Sequence, residues 1–138
     1  MHRSPLRPAV ALFVVYAVVL VGLSGFKSAE LYLSQIHGLE HWLGGDKWMH
    51  FKLSALLSIL ACFASERVLD LAPIKRILCV LCVLLISLVV DEALQYGVSS
   101  RRFELLDLAY GISGLLSGIL GYLAVTAIKR RVNRRSFF

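Results

Sequence analysis

Three short constellations in this chain carry residue types that could do chemistry. Asp46 precedes His50 by four residues, Glu92 precedes Gln95 by three, and Arg101 precedes Asp107 by six. Spacings of three and four place two side chains on one helix face. A carboxylate beside an imidazole can orient a general base. A guanidinium matches the planar oxygens of phosphate or carboxylate. Lys47 and Lys52 crowd the first constellation, Asp91 the second, and Arg102 and Glu104 the third.

The elements that must position these residues are membrane helices. The chain has 138 residues, 58% of them apolar and only 17% charged. Its mean hydropathy is +0.74. Soluble domains are about 45–50% apolar and roughly 25% charged. Four apolar runs, near 9–25, 48–64, 77–96 and 105–128, are each long enough to cross a bilayer with modest adjustment. The expectation is one all-α domain over residues 1–138, a bundle of four transmembrane helices with no soluble catalytic module. Pro73 falls in the loop between the second and third runs. The first run, preceded by Arg3 and Arg7, lacks a clean small-x-small cleavage site and reads as a retained signal-anchor.

With the N-terminus in the cytoplasm, ten basic residues fall inside: Arg3, Arg7, Arg67, Lys75, Arg76, Lys129, Arg130, Arg131, Arg134 and Arg135. Five fall outside: Lys27, Lys47, Lys52, Arg101 and Arg102. The positive-inside bias therefore puts both termini in the cytoplasm. It also explains the net charge of +6 without nucleic acid. In this orientation all three constellations gather at the outer ends of helices, while the inner ends carry ordinary basic flanks. Between the first two spans, Tyr32, Ile36, Leu39 and Leu43 recur at helical spacing with Glu30, Gln35 and Glu40 interleaved. A short interfacial helix follows, either a plain anchor or a lid over an outer-facing site. Trp42 and Trp48 fit an aromatic belt.

Ionisable groups at membrane depth are costly and mark either a site or a structural lock. As a lock, Glu92 would pair with Arg101, and Asp107 would neutralise Lys47 or His50. As a site, His50, Glu92, Arg101 and Asp107 must open onto one cavity. Gly111, Gly114, Gly118 and Gly121 form one stripe on the fourth span, where backbones can approach closely. Ser113 and Ser117 add hydroxyls that could bond across helices, to the same chain or to a second copy in a homo-oligomer. Cys79 and Cys82, like Cys62, lie in aliphatic runs and read as core packing. His2, His37 and His41 read as surface residues. A metal trio of His50, Glu92 and Asp107 lacks tight ligand spacing, so neither metal nor cofactor is expected.

The ordered set Asp46-Lys47-x-x-His50-Phe51, Glu92-x-x-Gln95, Arg101, Asp107, Gly114 and Gly118 resembles the VanZ-like family of small polytopic bacterial membrane proteins. The resemblance runs from about Asp46 to Gly121. It departs at Gly111, where the family often has Asn, and at Ser99-Ser100, where it often has Pro-Gly. It implies a multi-pass protein of the bacterial cytoplasmic membrane, with a family link to resistance to teicoplanin, a lipid-tailed glycopeptide.

Three functional expectations follow. The first is an envelope accessory protein. It binds an anionic or lipid-linked ligand, such as an envelope precursor or a lipophilic glycopeptide, through Asp46, Lys47, His50, Glu92, Gln95, Arg101 and Asp107. The second is an integral membrane enzyme acting on a lipid head group. His50, Glu92 and Asp107 are its catalytic candidates, although no recognised nucleophile motif is present. A structural subunit, with the polar residues as an assembly lock, is the third reading.

Overall fold

The computed structural model describes residues 7–97 and 104–135 of the chain. Five helices form in order: α1 (Arg7–Ser28), α2 (Leu33–Trp42), α3 (Asp46–Val68), α4 (Pro73–Tyr96) and α5 (Leu105–Arg135). No strand occurs among the described residues. In α1, α3, α4 and α5 a stretch long and apolar enough to cross a membrane recurs, and the protein is a multi-pass helical membrane protein. The helices overrun the apolar stretches because hydropathy marks the lipid-crossing part, while backbone hydrogen bonding continues into polar residues. Pro73 opens α4 rather than standing in the loop. Its fixed φ and missing N–H are harmless at a helix start.

Helix α3 is the centre of the bundle and packs on α1, α2, α4 and α5. Its buried stripe of Ser54, Ser58, Ala61, Cys62 and Ser65 is made of small side chains. Against it lie Gly114 and Gly118 of α5. A Cβ on Gly114 would strike the Phe51 carbonyl, and one on Gly118 would strike the Ala55 carbonyl and the Ser58 hydroxyl. The two backbones meet only because those positions lack a side chain. Ser58 fixes the crossing by donating to the carbonyl oxygens of Leu115 on α5 and Ala55 on its own helix, both at 3.0 Å. The glycine stripe is therefore divided. Gly111 faces the methyls of Leu88 on α4, and Gly121 has ordinary space beside Ile59. The expected hydroxyl role falls to Ser58: Ser113 bonds to Ala109 within its own helix, and Ser117 is exposed.

Beneath this crossing, Cys62, Val80, Leu84, Leu115, Ile119 and Tyr122 form the core. Only Cys62 among the cysteines belongs to it. Cys79 and Cys82 lie on the exposed face of α4. In lipid an apolar residue gains nothing by turning inward, so an aliphatic run does not distinguish core from perimeter. The end of the bundle near Glu66 also holds more than basic flanks. Tyr122 Oη donates to Glu66 Oε1 at 2.5 Å, and Arg76 donates to Tyr122 Oη at 3.3 Å, tying α3, α4 and α5 together.

Candidate functional site

The polar residues of four membrane helices converge at the opposite end of the bundle. They come from the last turns of α1 and α4 and the first turns of α3 and α5, as an up-down bundle requires. Helix α2 lies across this end. The chain reverses through positive φ at Glu30 and Tyr32 before it and at Gly44 and Gly45 after it. Ile36 and Glu40 are the buried side chains of α2. Trp42 is 79% exposed, in keeping with a membrane-surface position.

Two groups stand side by side. The first locks helices. Lys47 of α3 pairs with Glu104 at 2.8 Å and with Asp107 at 3.0 Å, both at the start of α5. Glu92 of α4, only 3% exposed, accepts the backbone N–H of Glu104 at 3.1 Å. It thereby satisfies a donor that an α-helix start leaves open. Arg101, and with it the expected Glu92–Arg101 pair, lies outside the described residues, as does the turn at 98–100.

The second group surrounds a cavity of about 320 Å³ between α1, α3 and α4. Lys27 of α1 bridges Glu40 of α2 and Asp46 of α3, the latter at 2.8 Å. His50 lies one turn along from Asp46 on the same face, with Nε2 at 3.8 Å from Asp46 Oδ1. That distance is too long for a hydrogen bond. His50 Nε2 is buried without a hydrogen-bond partner among the described residues. Asp91 of α4 accepts from Ser24 of α1 at 2.6 Å and from Gln95 at 2.7 Å. Ser24, Lys27, His50, Asp91 and Gln95 form the polar end of the cavity. The rest is hydrocarbon, including Phe13, Leu57 and Leu84, with Ile36 and Leu39 of α2 above it.

The sequence-derived set is thus regrouped. Among the described members of the quartet His50, Glu92, Arg101 and Asp107, His50 lines the cavity and Glu92 and Asp107 do not, so the single cavity expected to join them is not formed. The cavity that does form is polar through Ser24, Lys27, His50, Asp91 and Gln95. Glu92 and Asp107 are buried and join helices, Glu92 through the Glu104 N–H and Asp107 through Lys47. Asp46 and Lys47 are ion-paired beside the cavity. Glu92 and Gln95, although on one face of α4, serve different neighbours. The expected α3 face with Asp46 and His50 together is present, because α3 begins at Asp46 itself.

Ser24, Lys27, Glu40 and Asp91 were absent from the candidate set. The signal for Lys27 and Ser24 was their position at the end of an apolar run, which a topological flank imitates. His37 is exposed as expected, yet its Nδ1 lies 2.8 Å from Glu40 Oε2. The ligand atoms closest to a metal-binding arrangement belong to Asp46, His50 and Asp107, all within 4.8 Å of one another. Asp46 replaces Glu92 in that trio. Each of its carboxylates already faces an ammonium, from Lys27 or Lys47.

No protein-family model matches the chain, and no curated protein or solved structure is significantly similar to it.

Proposed function

We propose that this chain is a VanZ-like accessory protein of the bacterial envelope, held in the cytoplasmic membrane with both termini in the cytoplasm. In this reading it binds an amphiphilic, lipid-linked or anionic ligand at the outer leaflet. One observation carries the reading: an apolar cavity within the membrane-spanning part ends in a ring of polar side chains drawn from α1, α3 and α4. Ligand pockets of about 300–1,000 Å³ with few polar groups on an apolar wall are the common form of a small-molecule site. Lys27 and His50 stand at the polar end, and Arg101, outside the described residues, keeps the anion-binding role that its side-chain chemistry suggests. The Lys47–Glu104–Asp107–Glu92 group is the frame that keeps α3, α4 and α5 in place.

The test is His50→Ala in purified protein, read by native mass spectrometry of ligands that survive mild extraction. The account expects the retained lipid species to disappear while protein level and melting in detergent stay unchanged. Loss of the protein itself would favour a purely structural role. Retention of the same ligand would remove His50 from the site.

A second reading rests on the unpartnered His50 Nε2. An imidazole on the cavity wall, one helical turn from Asp46, acts as a general base on a lipid head group in this reading. Turnover of head groups by the wild-type protein, absent in His50→Ala, would establish it.

A further inference from the structure

The cavity communicates with the outside along one side of the bundle. Val21 of α1 and Val83 and Ser87 of α4 line it and are also exposed. Both α1 and α4 pack on α3, with little direct packing between them. Their clasp is the Ser24–Asp91–Gln95 bonding at the polar end. The opening therefore faces the hydrocarbon of the bilayer. On α1 the apolar lining runs from Phe13 to Leu23, a rise of roughly 15 Å at 1.5 Å per residue. An extended hydrocarbon chain lies along that length, with Ser24 and Lys27 left for its head group. The 320 Å³ volume lies at the low end for ligand sites and suits one chain rather than two.

The charge at the polar end is acidic. Lys27 is shared between two carboxylates, Glu40 and Asp46. Asp91 adds a third, held by the neutral donors Ser24 and Gln95. No lysine, arginine or histidine among the described residues forms an ion pair with Asp91. A carboxylate at membrane depth without a cation is expensive. An ionised carboxylate offers about four acceptor positions, and two of those on Asp91 are in use. A primary ammonium brings three N–H donors in a compact group and would fill the rest. A quaternary ammonium has no N–H to give, and among the described residues Phe13 is the only Phe, Tyr or Trp on the cavity wall.

We infer that the cavity takes one hydrocarbon chain of a membrane lipid whose head group carries a primary amine. The chain slides in sideways between α1 and α4, and the amine rests on Asp91. The inference builds on the ligand-binding reading above and names the class of ligand.

The full-length protein in neutral detergent is titrated with phosphatidylethanolamine, phosphatidylcholine, phosphatidylglycerol and N-acetylated phosphatidylethanolamine of identical chains, with melting temperature as the readout. Soluble phosphoethanolamine is the chain-free arm. Phosphatidylethanolamine is expected to reach half-effect at a concentration at least tenfold lower than the other three, with no shift from phosphoethanolamine. Asp91→Asn should erase that preference, and Ala17→Trp, which fills the cavity, should weaken every lipid. Equal response to all four lipids in the wild type overturns the amine assignment, while sensitivity to Ala17→Trp preserves the ligand-binding reading. A shift by phosphoethanolamine alone overturns the chain assignment. Absence of any lipid effect, with Ala17→Trp unchanged, overturns both. The acetylated lipid tests the amine without any substitution, so the conclusion survives if Asp91→Asn fails to fold.

Discussion

Replacing Gly118 with alanine should loosen the bundle at its tightest crossing. The new Cβ would overlap the Ala55 carbonyl oxygen and the Ser58 hydroxyl, with the Ala55 carbonyl carbon at 3.0 Å. Neither can swing aside. The carbonyl belongs to the backbone of α3, and the hydroxyl is held by the Ala55 and Leu115 carbonyls. The helices must separate instead. Overpacking of this kind costs about 1–3 kcal/mol, and the interhelical hydrogen bond of Ser58 adds roughly 0.6 kcal/mol. Against that, alanine improves helix propensity by about 1 kcal/mol over glycine. Gly121→Ala collects the same propensity gain, yet its Cβ meets only Ile59 Cδ1 at 3.7 Å. The propensity gain cancels between the two variants, three residues apart on one stripe, so they should differ by roughly 1.6–3.6 kcal/mol, with Gly118→Ala the less stable. Equilibrium unfolding in mixed micelles measures the difference. Equal stabilities, or a more stable Gly118→Ala, would refute the close approach of α3 and α5.

Three further outcomes are expected. Lys27→Met leaves Glu40 and Asp46 without their shared cation and should cost roughly 2–3 kcal/mol, below the full buried-pair range because Asp46 is partly exposed. Adding Glu40→Gln should restore part of the loss in a double-mutant cycle, and strict additivity would remove the bridge from the account. Tyr122→Phe removes the hydroxyl that links Glu66 and Arg76 and should cost about 1.5–3 kcal/mol, as for hydrogen bonds to charged groups; an unchanged melting temperature would argue against that tie. A reporter fused after Phe138 should remain cytoplasmic, given ten basic residues on that side against five. Its export would reverse the orientation and place the polar end in the cytoplasm.

The spans and their alternation were legible because hydropathy over about 20 residues is a strong signal. The gathering of polar residues at one end was legible too, since alternation dictates which helix ends coincide. Partners were not. Spacing placed Glu92 and Gln95 on one face, but only packing shows that one turns to the start of α5 and the other to Asp91 and Ser24. Lys27 looked like a flank at the end of α1. Its role depends on α2 folding back through Glu30 and Tyr32, two non-glycine residues at positive φ that local preference does not anticipate. Glu40 read as the wet side of an amphipathic helix, yet it is 8% exposed because Lys27 reaches it from below. The Tyr122–Glu66–Arg76 tie had a weak signal. A tyrosine hydroxyl at membrane depth needs a partner, but nothing in one dimension names Glu66. Cys79 and Cys82 show the converse limit, since apolar surroundings in sequence say nothing about burial when the solvent is lipid.

If the space between α1, α3 and α4 takes a lipid chain, with the head group among Ser24, Lys27, His50 and Asp91, photocrosslinking will capture the chain there. The protein is placed in a bilayer disc with phosphatidylethanolamine bearing a diazirine at mid-chain, irradiated, and its adducts are mapped by peptide mass spectrometry. The account predicts adducts concentrated on cavity residues such as Phe13, Ala17 and Leu84. Adducts confined to outward residues such as Val18 and Ile86, with none in the cavity, would contradict it.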